Sequence, residues 1–467
     1  MQTRAPLFEM LLAHASSLQG SFYVPGHKHG ALFDEAAAPW FRKLLDLDAT
    51  EVGELDDLHD PQGVIAAAQK LAAEAFGAKG TFFLVGGTTL GNLAAVLALC
   101  TAGDELVMQR SSHQSLFHAA MLSRAVVHFL PLTLDKRTGL ELPIDVVDLE
   151  RILSRKPVKA VVLTSPSYFG LVQPLKAVAA LCHSYQVPLI VDEAHGAHFA
   201  FNEDLPAAAL AEGADIAIQS THKTLTSLTM SSMLHFQGNL VNPERIQGWL
   251  RMLASSSPSY LLMASLDVTR RLFVLHGEQL LKQSLALINK YRSTLNQFCN
   301  MLLLETDEPF RWVLAIRGAQ GVLVGQLLTK KKIFPELVLP DKVLFLFSAA
   351  TNEQELQALV RALTLIDRQL SKQGPFVQEQ MLTAYPGSTI SYATWSCNQP
   401  YELVPLVRAV GRRVVRPIII YPPGIPLLCA EEKVSALLKE KIEYAIKNGL
   451  SIRGLNQPDL ALPCSRP

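Results

Sequence analysis

Three stretches carry residues whose types and order could do chemistry. In "QSTHKTLTSL", residues 219–228, Lys223 stands beside His222 and close to Ser220, just after the apolar run Ile216-Ala217-Ile218. A lysine at the end of a buried strand can be desolvated, which lowers its pKa and makes the free amine a nucleophile. In "VDEAHGAHF", Asp192 ends the apolar run "PLIV". A carboxylate in that place needs a partner, because burying it unpaired is costly. It can cap a helix, join an internal ion pair, or serve as counter-ion to a cationic cofactor atom. In "GGTTLGN", residues 86–92, Gly86 and Gly87 permit a tight turn, and Thr88 and Thr89 open a helix. Free N–H groups and the positive end of a helix dipole suit a phosphate. The GK[ST] ending of a P-loop is absent.

Each stretch alone has an ordinary explanation: a surface turn, a helix cap, a strand-to-helix connection. Together they supply a phosphate cradle, an acid for a pyridinium and a lysine for a Schiff base, which is the binding set of pyridoxal 5'-phosphate. The competing reading is a metal-dependent hydrolase. "DEAHGAH" offers Asp192, Glu193, His195 and His198, and "RSSHQSLFHAA" adds His113 and His118. The histidines of the first motif stand at i and i+3, unlike HExxH. A metal would also leave Lys223 and the glycine turn without a task, so no metal is expected.

Positioning these residues falls to a chain of 467 residues, long enough for a large domain with a smaller one attached. Hydrophobic residues make up 49% and charged residues 18%, the balance of a packed globular protein. Lys+Arg and Asp+Glu are both 42, so no basic excess points to nucleic acid or an anionic membrane. Glu9 and His14 interrupt the only apolar stretch that could serve as a leader, and no run is long enough to span a bilayer. The 6 cysteines are scattered singly, which fits a reducing, cytoplasmic setting.

Residues 1–60 read as an irregular N-terminal arm. From residue 64 the pattern turns regular. "VIAAAQKLAAEAF" and "TTLGNLAAVLALC" have helical composition, and segments 113–124, 146–154 and 174–185 are helix-like. Between them lie short apolar strands at 81–85, 105–109, 126–130, 160–165, 188–193 and 215–220. The alternation predicts an α/β fold with a mostly parallel sheet covered on both faces. Ligands of such sheets bind at the carboxyl ends of the strands, where all three stretches fall. A cofactor-binding large domain is expected over 61–290. A smaller C-terminal α/β region is expected over 291–467, including the proline-rich "YPPGIPLL", which must be turn or extended.

At this point the residues show a resemblance. "FYVPGHKHG", "TEVGELDDLHDPQG", "RSSHQS", "VDEAHGAHF", "QSTHKTLTSLTMSSMLH", "SSSPSYLLMASLD" and "YPPGIPLL" resemble the Orn/Lys/Arg decarboxylase family, whose fold is that of aspartate aminotransferase (fold type I). The resemblance covers residues 20–270 and again 400–430. It implies decarboxylation of a basic L-amino acid (arginine, lysine or ornithine) to its amine and CO2, the chemistry of polyamine formation. It implies that Lys223 holds the cofactor covalently, that Asp192 pairs with the pyridine nitrogen and that His113 stacks on the ring. Gly87, Thr88 and Thr89, with Ser220 and His222, would bind the phosphate. Ser256 or Ser257 would reach that phosphate from a neighbouring subunit of a homodimer or higher homo-oligomer, and His195 would lie near the cofactor. The chain is similar to the compact branch without an N-terminal wing domain. "GGTT" stands where many members have an Asn-Gly-Thr-Ser type sequence, and "LLCAEE" replaces a more usual Pro-Gly-Glu ending. For the substrate's side-chain cation, "ELDDL" supplies Glu54, Asp56 and Asp57, with Glu51 nearby, although a solvated acidic loop is the ordinary reading of any one of them. An aminotransferase or lyase of the same fold type, and a non-catalytic member, are the alternatives; intact Lys223 and Asp192 speak against the latter.

Overall fold

A computed structural model describes residues 1–376, 385–421, 424–456 and 460–465. Pro422 and Pro423 of the proline-rich segment lie outside the described residues. The chain forms two compact units, residues 1–98 with 188–282 and residues 99–187 with 283–467.

In the first unit four strands lie side by side in the order Gly80–Leu84, Ser232–Phe236, Ile216–Gln219, Leu189–Asp192. Three run the same way, and Ser232–Phe236 runs against both of its neighbours. Every residue of Leu189–Asp192 and Ile216–Gln219 is buried, as short apolar runs in a covered sheet must be. The helix Gly87–Leu99 follows the first strand after a tight turn. Gly91 lets this helix lie close: a Cβ there would come within 2.6 Å of Ile218 Cγ2 and 2.7 Å of Leu84 Cδ1. The alanine-rich helix Val64–Ala75 forms as its composition predicts; the helical run that opens at Tyr260 reads on to Leu304 in the sequence but ends at Leu295, and Met301–Leu304 is a strand.

The N-terminal arm is a correction. Residues 1–60 are not irregular throughout but contain helices Pro6–Ser17 and Ala38–Leu47. In the first of these, Leu7 and Leu11 bury one face at i, i+4 spacing. Its free N-terminal N–H groups are satisfied from far away: Leu7 N donates to Asp267 Oδ2 at 3.0 Å, and Arg270 holds Asp267 Oδ1 at 2.7 Å. Glu9 accepts from Ala5 N at 2.8 Å, so the residue that looked like an interruption closes the first turn.

The second unit holds strands Val158–Thr164, Glu105–Gln109 and Val126–Leu130, all parallel, with Ser388–Ser391 antiparallel at the edge. His128 ties that edge down, bonding Thr389 Oγ1 at 2.9 Å and pairing with Glu105. A separate antiparallel sheet runs Leu337–Val338, Lys342–Leu346, Arg311–Ile316, Met301–Leu304. The helix Glu353–Asp367 opens with a reciprocal cap between Asn352 and Glu355. Its Asp367 carboxylate accepts from Cys299 N at 3.0 Å and Asn300 N at 2.8 Å. Among the described residues no helix is long and apolar enough to cross a membrane.

Candidate active site

Asp192 is the last residue of its strand and is 2% exposed. Asn92 Nδ2 donates to its Oδ2 at 2.9 Å, and Ala194 N donates to its Oδ1 at 3.2 Å. Both donors are neutral, and none of the ion pairs among the described residues includes Asp192. A buried carboxylate with only neutral donors leaves room for a cationic partner. Asn92 closes the "GGTTLGN" stretch but drew no role from the sequence. The signal was there: an amide fully buried in an apolar helix must find a partner.

Three hydroxyls gather where the helix Gly87–Leu99 begins. Thr88 Oγ1 bonds Ser220 Oγ and lies 3.3 Å from Ser232 Oγ. All three residues are buried. Gly87 has φ +72°, a left-handed turn that glycine adopts without strain and that turns the chain into the helix. Thr221, adjoining Ser220, buries a hydroxyl that has no partner. Oriented hydroxyls and free helical N–H groups are the donor set a phosphate requires. Thr89 points outward and is exposed. Ser232, which sequence reasoning missed, reaches the cluster only because its strand runs antiparallel between the other two.

His222 and Lys223 lie on the single helical turn Thr221–Thr224 that follows the Ile216–Gln219 strand. His222 Nδ1 donates to the Ser231 carbonyl at 2.9 Å, so the neutral ring presents a bare Nε2. Burial lowers its pKa, against the Ser231 carbonyl and aided by Lys223, so it offers a phosphate no proton unless it is charged. Lys223 Nζ lies 3.2 Å from Nε2 of His195, itself 6% exposed. The expected burial of the lysine is not met in the single chain. Lys223 is exposed because its turn carries it beyond the cover of the strands.

Beneath these residues runs a buried polar chain. Glu193 Oε2 accepts from Gln219 Nε2 at 2.7 Å, and its Oε1 accepts from Ala209 N at 2.7 Å. Gln219 Oε1 meets His235 Nε2 at 3.1 Å, and His235 Nδ1 meets Thr81 Oγ1 at 2.7 Å. Burial pushes Glu193 up to about 8 and His235 down to about 3. The chain ties together four strand ends, and no local pattern in the sequence announces it.

The remaining candidates fall elsewhere. Ser256 and Ser257 stand exposed between helices Pro243–Leu253 and Tyr260–Leu295, with Ser257 N on Ser255 Oγ at 3.2 Å. Asp56 is taken up locally: its carboxylate accepts from Gly63, Ile65, Gln62 and Asp57 N–H groups at 2.8–3.0 Å and Ala66 N at 3.2 Å. Burial opposes its charge, but these donors win and lower its pKa. Asp57 caps His59 N at 2.8 Å, and Glu54 is exposed. Glu51 keeps a buried Oε1 with no partner. His113 belongs to the second unit, where it caps the helix Gln114–Ser123 through Ser115. Gly424 of the proline-rich motif backs its ring: a Cβ there would lie 3.2 Å from Cδ2 and Nε2. Among the described residues no three His, Cys, Asp or Glu side chains gather to hold a metal.

The Orn/Lys/Arg decarboxylase major domain matches residues 5–315. The arginine decarboxylase of Bacillus subtilis (strain 168) is 36% identical over 480 residues, covering 97% of this chain and 96% of that protein. The arginine decarboxylase of Halalkalibacterium halodurans is 33% identical over 472 residues, covering 97% and 96%. The structure of lysine decarboxylase A from Pseudomonas aeruginosa superposes with a TM-score of 0.81 at 21% identity, covering 99% of this chain and 80% of that one. That likeness carries the fold, α/β of fold type I, and the sequence match carries the family: the chain is a member of the Orn/Lys/Arg decarboxylases, the decarboxylases of basic amino acids.

Proposed function

We propose that this chain decarboxylates L-arginine with pyridoxal 5'-phosphate held on Lys223. The observation that carries the cofactor reading is Asp192: a buried carboxylate supplied with neutral donors alone, next to a cluster of phosphate-suited hydroxyls. When bound, pyridoxal phosphate supplies a protonated ring that accepts the electron pair left by departing CO2. Asp192 would keep that ring nitrogen protonated through a charge-assisted hydrogen bond, with Asn92 fixing its orientation. Thr88, Ser220 and Ser232, with the helix start at Gly87, would hold the phosphate; Thr89 and His222 border it. His113 would stack on the ring plane. Lys223 Nζ and His195 Nε2, 3.2 Å apart, are the pair between which a proton can move before it is delivered to the substrate's α-carbon.

Arginine is favoured over lysine and ornithine because four of the relatives matched over nearly their full length are named arginine decarboxylases. Exposed Ser256 and Ser257 are suited to complete the phosphate site of a partner subunit in a homodimer. A cytoplasmic location fits the scattered single cysteines. The test incubates purified protein, cofactor and each basic amino acid, measuring CO2 and amine. Arginine should be turned over fastest, and borohydride should fix the cofactor to a peptide containing Lys223. Release of a keto acid in place of CO2, or labelling of another lysine, would overturn the reading.

A further inference from the structure

The second unit holds a half-open cavity of about 230 Å³ that shares no residue with the cofactor site proposed above. Its wall is mostly apolar, with Leu132, Leu134, Leu337, Leu339, Tyr168 and Tyr385 among the lining. Two carboxylates line it, Glu141 and Asp341, the latter paired with Lys342. The geometry around Glu141 is settled by its neighbours. Gln109 Oε1 accepts from Thr164 N at 3.0 Å, so the amide turns its Nε2 outward, donating to Ser111 Oγ at 2.9 Å and to Glu141 Oε1 at 2.6 Å. Ser111 Oγ then donates to the same Oε1 at 2.5 Å. Both neutral donors converge on one oxygen, and Oε2 is left to the cavity.

Four other charged side chains line the space, Arg110, Asp341, Lys342 and Lys441. Arg110 is held by the Pro426 and Leu427 carbonyls at 2.7 and 2.9 Å and by Glu432 at 3.1 Å. Lys342 pairs with Asp341 at 2.6 Å. Glu141, which takes hydrogen bonds from neutral donors only, suits a cationic N–H donor, while the mostly apolar wall suits a hydrocarbon body. We propose that this cavity binds a small organic cation, with an ammonium or guanidinium head on Glu141 Oε2 and an aliphatic chain against the leucines and tyrosines. Burial raises the Glu141 pKa and lowers that of Lys441, which lines the same space, to about 8. An arriving cation reverses the first effect and reinforces the second, so binding near pH 7 releases protons. A guanidinoalkylamine, the kind of product arginine decarboxylation leaves, belongs to this class. That identification alone rests on the proposed function; the site does not.

The probe is agmatine, titrated calorimetrically into the cofactor-loaded enzyme in two buffers of different ionisation enthalpy. The expected result is one equivalent per chain beyond the catalytic site, bound with proton release. Glu141→Gln should weaken that equivalent at least tenfold. Leu134→Phe, which keeps the carboxylate but fills the cavity, should do the same. Both variants should retain borohydride labelling of Lys223 and CO2 release from arginine. No additional equivalent in the unmodified enzyme, or wild-type binding in both variants, would overturn the proposal. So would loss of CO2 release in step with binding, which would make the cavity part of the catalytic site. Absence of arginine turnover with the Glu141 effect intact would sink the proposed function and leave this site standing.

Discussion

Asp192 and Glu193 are adjacent, equally buried and equally provisioned. Each carboxylate takes one hydrogen bond from a side-chain amide, Asn92 or Gln219, and one from a backbone N–H, Ala194 or Ala209. Their surroundings separate them. Glu193 leads into a chain that ends at His235 and Thr81 and has no room for a charge, so its pKa rises to about 8. Asp192 closes its strand in the part of the first unit where Lys223 and the hydroxyl cluster lie. The difference teaches that burial and donor count do not decide what a buried acid is for. What decides is whether the missing counter-charge is a proton or a ligand.

Exchanging Asp192 should break this contrast most severely. Asp192→Asn keeps volume and hydrogen bonding but cannot hold a cation. Each pKa unit of lost pairing is roughly 1.4 kcal/mol, so losing two or three units lowers kcat by about 10²–10³. Cofactor should still bind through the hydroxyls; turnover near that of the parent enzyme would end the counter-ion role. Asn92→Ala sharpens the comparison by removing one donor from a charged acceptor, an effect of about 1.5–3 kcal/mol. It should lower kcat roughly ten- to a hundredfold and shift the pH dependence of cofactor absorbance, which a purely structural amide would leave in place.

Glu193→Gln should instead act on stability. With its folded pKa raised above the unfolded value, the folded state holds the extra proton, so Glu193 costs stability progressively as pH rises from about 4.5 to about 8. The glutamine variant should flatten that decline and gain up to a few kcal/mol above pH 8 in chemical denaturation, with kcat little changed. An unaltered pH–stability profile would show that Glu193 stays ionised. Least of all, Thr88→Ala should weaken cofactor binding about tenfold, the value of one buried hydroxyl's bonds, while Thr89→Ala leaves it within twofold. Equal effects at the two positions would dissolve the assigned cradle.

Much of this was legible in advance. The strands leading to Asp192 and Lys223 are short apolar runs that a covered sheet demands, and the glycine pair before Thr88 can only be a turn. What escaped depends on which strands become neighbours. Ser232 meets Thr88, and His235 meets Gln219, only once the antiparallel Ser232–Phe236 strand is inserted, while Gln219 meets Glu193 across the parallel pair Leu189–Asp192 and Ile216–Gln219. The helix Pro6–Ser17 was hidden for a similar reason, since its N-terminus is satisfied by Asp267, 260 residues away. "ELDDL" looked like a reservoir of substrate carboxylates, but Asp56 spends both oxygens on its own loop and the helix after it.

Gly91 has no functional group, yet it governs one. It precedes Asn92, and the clearance it gives the helix against Ile218 and Leu84 sets how far the amide stands from Asp192. A methyl group there would need several tenths of an ångström, comparable to the slack in a 2.9 Å hydrogen bond. The placing of the amide against Asp192 is in this sense a machining tolerance, cut by the smallest residue in the helix. An alanine at position 91 would detune the chemistry while leaving every chemical group in place.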